Sequence, residues 1–177
     1  MPLKRIFRVS TDSIEVRTSI ETVHAQLEAE RKRLESLIDD HINNHPDLKE
    51  DRTLLESIPG VRSVISQQML AVIRSRSFNW ARECAAFLRL VRIEHESGSS
   101  VCIRPRLSKR GDSRIRAKLC MAAIVATRHN PDIRCQYIRL LKRGKSKMAA
   151  IGAAMRKLVH ICFGALKHQV PYRSQVV

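Results

Sequence analysis

The sequence predicts an all-α protein: a long linker helix followed by a compact helical domain with a helix-hairpin-helix-like element. Three observations carry that prediction. Apolar residues recur at three- and four-residue spacing through most segments. Residues that start or stop helices, such as Asp112, Pro131 and Gly144, stand where that spacing breaks. Val101–Ile103 is the only fragment that reads as strand.

Residues 1–15 read as an irregular lead-in. From about Val16 to Asn43, Ile20, Val23, Leu27, Leu34, Leu37 and Ile38 form one oily stripe. Glu30 and His41 interrupt its seam, so the spacing supports one helix leaning on a partner better than a long coiled coil. Asn43, Asn44 and Pro46 end it. Short helices are expected over about 49–57, 63–73 and 79–88. A loop containing Gly and Pro follows, and then three longer helices. The first covers about 112–128, with Asp112 as N-cap after Gly111. The second starts at Pro131, which a first turn tolerates, and stops near Arg143 with Gly144 beyond it. The third covers about 146–167 and is expected to bury Met148, Ile151, Met155, Val159, Cys162 and Leu166.

The chain of 177 residues carries a formal net charge of +16, unevenly spread. Residues 1–58 hold 9 Lys/Arg against 12 Asp/Glu, whereas the remainder holds 24 against 5. So strong a segregation predicts a polyanion-binding surface, with nucleic acid the first candidate. A membrane surface fits less well, because the cations recur over several segments instead of lining one amphipathic helix. No apolar run of bilayer length and no signal-peptide core stand out, so a cytoplasmic, nucleoid-associated protein is expected. Cys84, Cys102, Cys120, Cys135 and Cys162 form no C-x-x-C pair, and reduced core thiols are expected rather than disulfides or zinc. His160 and Cys162 are two apart, a weak metal pair. No metal site and no bound cofactor are expected in this chain.

Two stretches bear chemistry. Ser57-Ile58-Pro59-Gly60-Val61 lies between two short helices in the pattern of a helix-hairpin-helix, whose turn amides and following helix N-terminus receive a DNA phosphate without reading sequence. Arg62 stands where the usual hairpin has a second glycine and supplies a cation instead; an ordinary helix–helix turn is the alternative. The segment from Glu94 to Arg116 joins a Ser/Gly loop to the cations Arg104, Arg106, Lys109 and Arg110. There Ser108-Lys109-Arg110-Gly111-Asp112 opens a helix whose dipole favours an anion. That helix is expected to bury Ile115, Leu119, Ala122 and Ala126 and to leave Arg114, Arg116 and Lys118 at its exposed faces; Lys145 extends the positive surface further on. The aromatic content of 4% and the lone Trp80 argue against recognition of single strands by base stacking.

Read together, these stretches resemble the C-terminal domain of bacterial insertion-sequence transposases of the IS-one-ten / IS-one-sixteen family, which includes the Piv-like pilin-gene invertases. The resemblance rests on Leu54-Leu55-Glu56-Ser57-Ile58-Pro59-Gly60-Val61, Ser97-Gly98-Ser99-Ser100-Val101 and Leu107-Ser108-Lys109-Arg110-Gly111-Asp112. It continues through Ala122-Ala123, Arg128-His129-Asn130-Pro131, Arg143-Gly144-Lys145 and Met155-Arg156-Lys157-Leu158. It implies a helical linker over 1–48, a C-terminal transposase domain over 49–172 and a tail over 173–177. It also implies a recombinase of two halves, whose missing N-terminal half holds divalent metal (Mg2+) on four acids while the C-terminal half supplies a serine that attacks DNA. Ser97 matches that serine, with Ser99 and Ser100 as fallbacks. Arg89-Leu90-Val91-Arg92 departs from the family, with arginines at a glycine and a proline position. The expected partners are transposon-end and target DNA, with a structured guide RNA as a further candidate and a homo-oligomer formed through residues 16–43 as another. On this reading the chain is a truncated member that binds DNA or RNA but does not cut alone. The alternatives are a non-catalytic nucleic-acid-binding remnant or regulator, and a helical adaptor that dimerises through residues 16–43.

Overall fold

The computed structural model describes residues 14–97, 101–107 and 112–175, with the backbone alone over 92–97 and 101–107. The chain divides into two units, Met1–Pro46 and Asp47–Val177. In the first, α1 runs from Ile14 to Asn44. The predicted stripe lies along it, with Val23, Leu27, Leu34, Leu37 and Ile38 all exposed. Its polar faces carry ion pairs between neighbouring turns, Arg17–Glu21, Arg31–Glu35 and Arg33–Glu30. Arg33 holds the Glu30 carboxyl below the usual range.

In the second unit, α2 (Pro46–Glu56) begins on the proline expected to end the preceding helix, a residue that a first turn accepts because its missing N–H has no partner there. It is followed by α3 (Ser63–Arg74), α4 (Ala81–Phe87), α5 (Ser113–His129), α6 (Pro131–Lys142) and α7 (Lys147–His168). The predicted all-α class holds for this packed body. The hairpin was under-read, since β1 (Arg92–Ser97) pairs antiparallel with β2 (Val101–Leu107). Polar β1, Arg-Ile-Glu-His-Glu-Ser, shows no apolar alternation, so backbone pairing alone identifies it as a strand.

The predicted N-cap of α5, Asp112, is in place. Asp112 Oδ1 accepts from the amides of Arg114 (2.7 Å) and Ile115 (3.4 Å). Asn130 caps α6 through Ile133 N, and Ser146 caps α7 through Ala149 N. Gly144, at φ +74°, closes α6 with Gly144 N donating to Leu141 O and Lys145 N to Leu140 O. The same pair of bonds closes α4: Arg89 N donates to Ala86 O and Leu90 N to Ala85 O. Here an arginine occupies the left-handed position, at φ +57°. This is the residue that the resemblance aligned with a glycine.

Helix α7 is the axis of the second unit, packing against α4, α5 and α6. Ala150, Ala154, Leu158, Val159 and Cys162 are almost wholly inaccessible, and α5 answers with the small residues Ala122, Ala123 and Ala126. By length and composition α7 could cross a membrane, contrary to the expectation of no such run; here its apolar surface is the core. Met148 departs from its predicted burial and is 68% exposed, because burial of α7 starts only at Ala150. Of the thiols described, Cys84 and Cys162 are buried, but Cys135 is exposed. Burial pushes the Cys84 thiol up to about 11 and the Cys162 thiol up to about 12, so neither is a nucleophile near neutral pH.

Two outcomes follow from these features. Arg89→Gly should raise stability by about 1 kcal/mol, since only glycine adopts the left-handed conformation freely, measured as a shift of the urea midpoint at unchanged slope. The buried thiols stay protonated in the folded chain while unfolded thiols ionise near pH 9, so stability should fall as pH rises from 9 towards about 11. Cys162→Ala should show a shallower alkaline decline than the parent chain, whatever its stability offset; an equal decline would assign that loss to other groups.

Candidate nucleic-acid interface

The turn between α2 and α3 is built by its own residues. Ile58 and Val61 are buried, and Val61 N donates to Ile58 O at 2.9 Å. Between them Pro59 and Gly60, the latter at φ +101°, take the proline-then-glycine order of a type II turn. Gly60 is required twice. A Cβ there would lie 2.7 Å from Ala126 Cβ and 3.0 Å from Ala126 Cα, so the turn backbone rests directly on α5.

This close approach sets an open groove between the turn and the exposed side of α5. Gly60, Arg62 and Lys118, three of the predicted nucleic-acid contacts, line it together. Both cations are exposed. Arg62 is the N-cap of α3 in extended conformation, and its side chain makes no capping hydrogen bond. The first turn of α3 contains no acidic residue of its own. Glu56 also lines the groove but is engaged by Arg52 at 3.0 Å and by the Ser66 hydroxyl at 2.9 Å. The floor is apolar, with exposed Val64, Met121 and Val125 beside buried Ala122. Arg52, His129 and these apolar residues were not singled out as site residues. His129 stood in a quoted motif, but no spacing rule connects the turn at 57–61 with a helix sixty residues later.

The start of α5 differs from its expected role. Two first-turn amides are already occupied by the Asp112 carboxylate, so an anion arriving there would meet a negative charge. Arg114 is exposed and Arg116 half-buried, while Lys145 lies on the turn after α6; none of the three lines the groove. Ser97 ends β1 opposite Val101, and Arg104 and Arg106 lie in β2, with backbone alone described for all three. Ser108, Lys109, Arg110, Ser99 and Ser100 lie outside the described residues.

Among the described residues, no three of His, Cys, Asp or Glu converge as metal ligands, so the Mg2+ implied by the resemblance finds no donor set in them. Burial, aided by Arg156 and Lys157, lowers the affinity of His160 for a proton, and the neighbouring Cys162 thiol is held protonated.

Residues 52–138, which include the turn, the groove and the hairpin, match the profile of the Transposase IS116/IS110/IS902 family. Through them the chain is similar to that family. It is similar to two pilin gene-inverting proteins. It is 28% identical over 137 residues to that of Moraxella bovis and 30% identical over 137 residues to that of Moraxella lacunata, each alignment covering 76% of this chain. The chain spans 42% of the length of each of these relatives.

Gly60→Ala should cost about 2–4 kcal/mol, combining the left-handed conformation with the clash on α5. In denaturant titrations, adding Ala126→Gly to Gly60→Ala should recover only part of that loss, because shortening residue 126 removes the 2.7 Å contact but leaves the 3.0 Å approach to its Cα and the backbone conformation. Full recovery would mean that the conformation costs nothing.

Proposed function

We propose that this chain is the DNA-binding, serine-bearing part of a transposase or site-specific recombinase, with the Gly60 turn and the groove beside it receiving the duplex backbone. The observation that carries this reading is the convergence of an uncapped helix N-terminus, Arg62 and Lys118 on one face of a chain similar to this family. Turn amides and the α3 dipole hold one phosphate, and the cations neutralise it and its neighbour without reading bases. Ser97 is the residue we assign to strand transfer, with Arg104 and Arg106 on the opposite strand of its hairpin. Activation of Ser97 is assigned to a partner domain that carries the acids and the metal. Transposon ends and target are then the DNA partners, acted on in the cytoplasm at the nucleoid. The exposed apolar stripe of α1 supports self-association through residues 16–43.

Binding of a labelled duplex at several salt concentrations tests the interface. Replacing both Arg62 and Lys118 with alanine should reduce the dependence of log K on log salt by roughly two contacts and weaken binding uniformly across sequences. An unchanged slope would remove the groove from the interface. Ser97→Ala should leave that binding intact and abolish strand transfer when an acid-bearing half is supplied in trans. Retained transfer would instead support the non-catalytic regulator.

A further inference from the structure

A second cationic surface lies outside the groove, around α4. Trp80, the only tryptophan in the chain, is 58% exposed at the N-cap of α4. Lys167 Nζ lies 5.4 Å and the Arg82 guanidinium 5.7 Å from its ring centroid. Both cations sit over the ring at the outer edge of cation–π range. The support is fixed: Lys167 Nζ donates to Asn79 O at 2.9 Å, and Asn79 N donates to Glu83 Oε2 at 2.9 Å. At the other end of α4, the Arg76 guanidinium stacks 4.4 Å above the half-exposed ring of Phe87.

An exposed indole costs solubility and contributes nothing to the core, and an apolar protein partner would have to desolvate the cations around it. A nucleobase with its phosphate satisfies both parts, since every base has a face to stack and the phosphate takes the neighbouring charge. We propose that Trp80, together with Arg82 and Lys167, is a stacking platform for one unpaired base of a nucleic-acid strand. The low aromatic content still excludes an array of such platforms, but one platform suffices for one extruded or single-stranded base. The inference rests on the nucleic-acid reading above and adds a distinct substrate, a single strand rather than a duplex.

Because Trp80 is the sole indole, its fluorescence reports the site directly. Titrating the full chain with a short oligothymidylate should quench that emission, whereas a duplex of equal length should leave it nearly unchanged. With a labelled strand read by anisotropy, Trp80→Ala should weaken single-strand binding about tenfold, Trp80→Phe should restore most of it, and duplex binding should stay within about twofold. Unquenched indole at saturating strand, or an alanine variant that binds the strand as well as the parent, would overturn the platform and assign this surface to a protein contact. If duplex binding is intact in that event, the groove reading survives; if the parent chain binds neither form, both fail.

Discussion

The contact between Gly60 and Ala126 fixes how closely the α2–α3 turn can lie against α5, and most of the candidate interface follows from it. Side chains larger than hydrogen at residue 60 or larger than methyl at residue 126 would push the turn outward. The N-terminus of α3 would then move away from Lys118, and Arg62 and Lys118 would no longer share a groove. Ala122 and Ala123 continue the same flat surface on α5, and α7 supplies Ala150 and Ala154. Small residues thus bring backbones together on one side of α5, while longer apolar residues from α7 fill the rest of the core.

The segment after α7 holds the turn from behind. Gln169 takes a left-handed conformation, and its side chain donates to Asp51 Oδ1 at 2.8 Å; Arg74 Nε donates to the other carboxylate oxygen at 2.6 Å. Asp51 is 1% exposed, so both bonds are needed to offset its desolvation. Tyr172 N donates to Ser57 Oγ at 2.9 Å, at the start of the turn itself. Its hydroxyl reaches Asn130 Oδ1 and Asp132 Oδ2 at the α5–α6 corner, and Gln175 N adds a bond to Asp132 at 3.1 Å. Burial, reinforced by Asp132, pushes the Tyr172 phenol up to about 12, so the proton that bridges to Asp132 stays in place. One short segment therefore ties α2, α3, α5 and α6 together through polar acceptors that the helices leave open.

Charge and packing are separated along the same lines. The acids of the second unit are mostly engaged: Asp51, Glu56, Glu83, Asp112 and Asp132 each accept a hydrogen bond from a side chain or a backbone amide. They neutralise caps and internal cations, which leaves the excess Lys and Arg to face solvent. The basic surface is thus obtained without sacrificing the fold, and its two best-defined places, the Gly60 groove and Trp80, would under the proposals above take different forms of nucleic acid.

Helix positions, the cap Asp112, the Gly144 stop and the Pro59–Gly60 turn were legible in the sequence, because each depends on neighbours within four residues. The β-hairpin was only half legible, since β1 carries no alternation of its own. The acidity of residues 1–58 and basicity of the rest were equally plain and pointed to a polyanion. The tertiary structure alone decided which cations act together: Arg62 and Lys118 share a groove, Lys145 does not, and Asp112 fills the helix end that had looked ready for a phosphate. It also decided that Asp51 is a buried anchor among exposed acids, that Met148 projects from the core, and that Arg82 and Lys167 come within cation–π range of Trp80. Local sequence determines hydrogen bonds that close within a turn; contacts that close over tens of residues depend on how the helices pack, and the candidate interface is made of those.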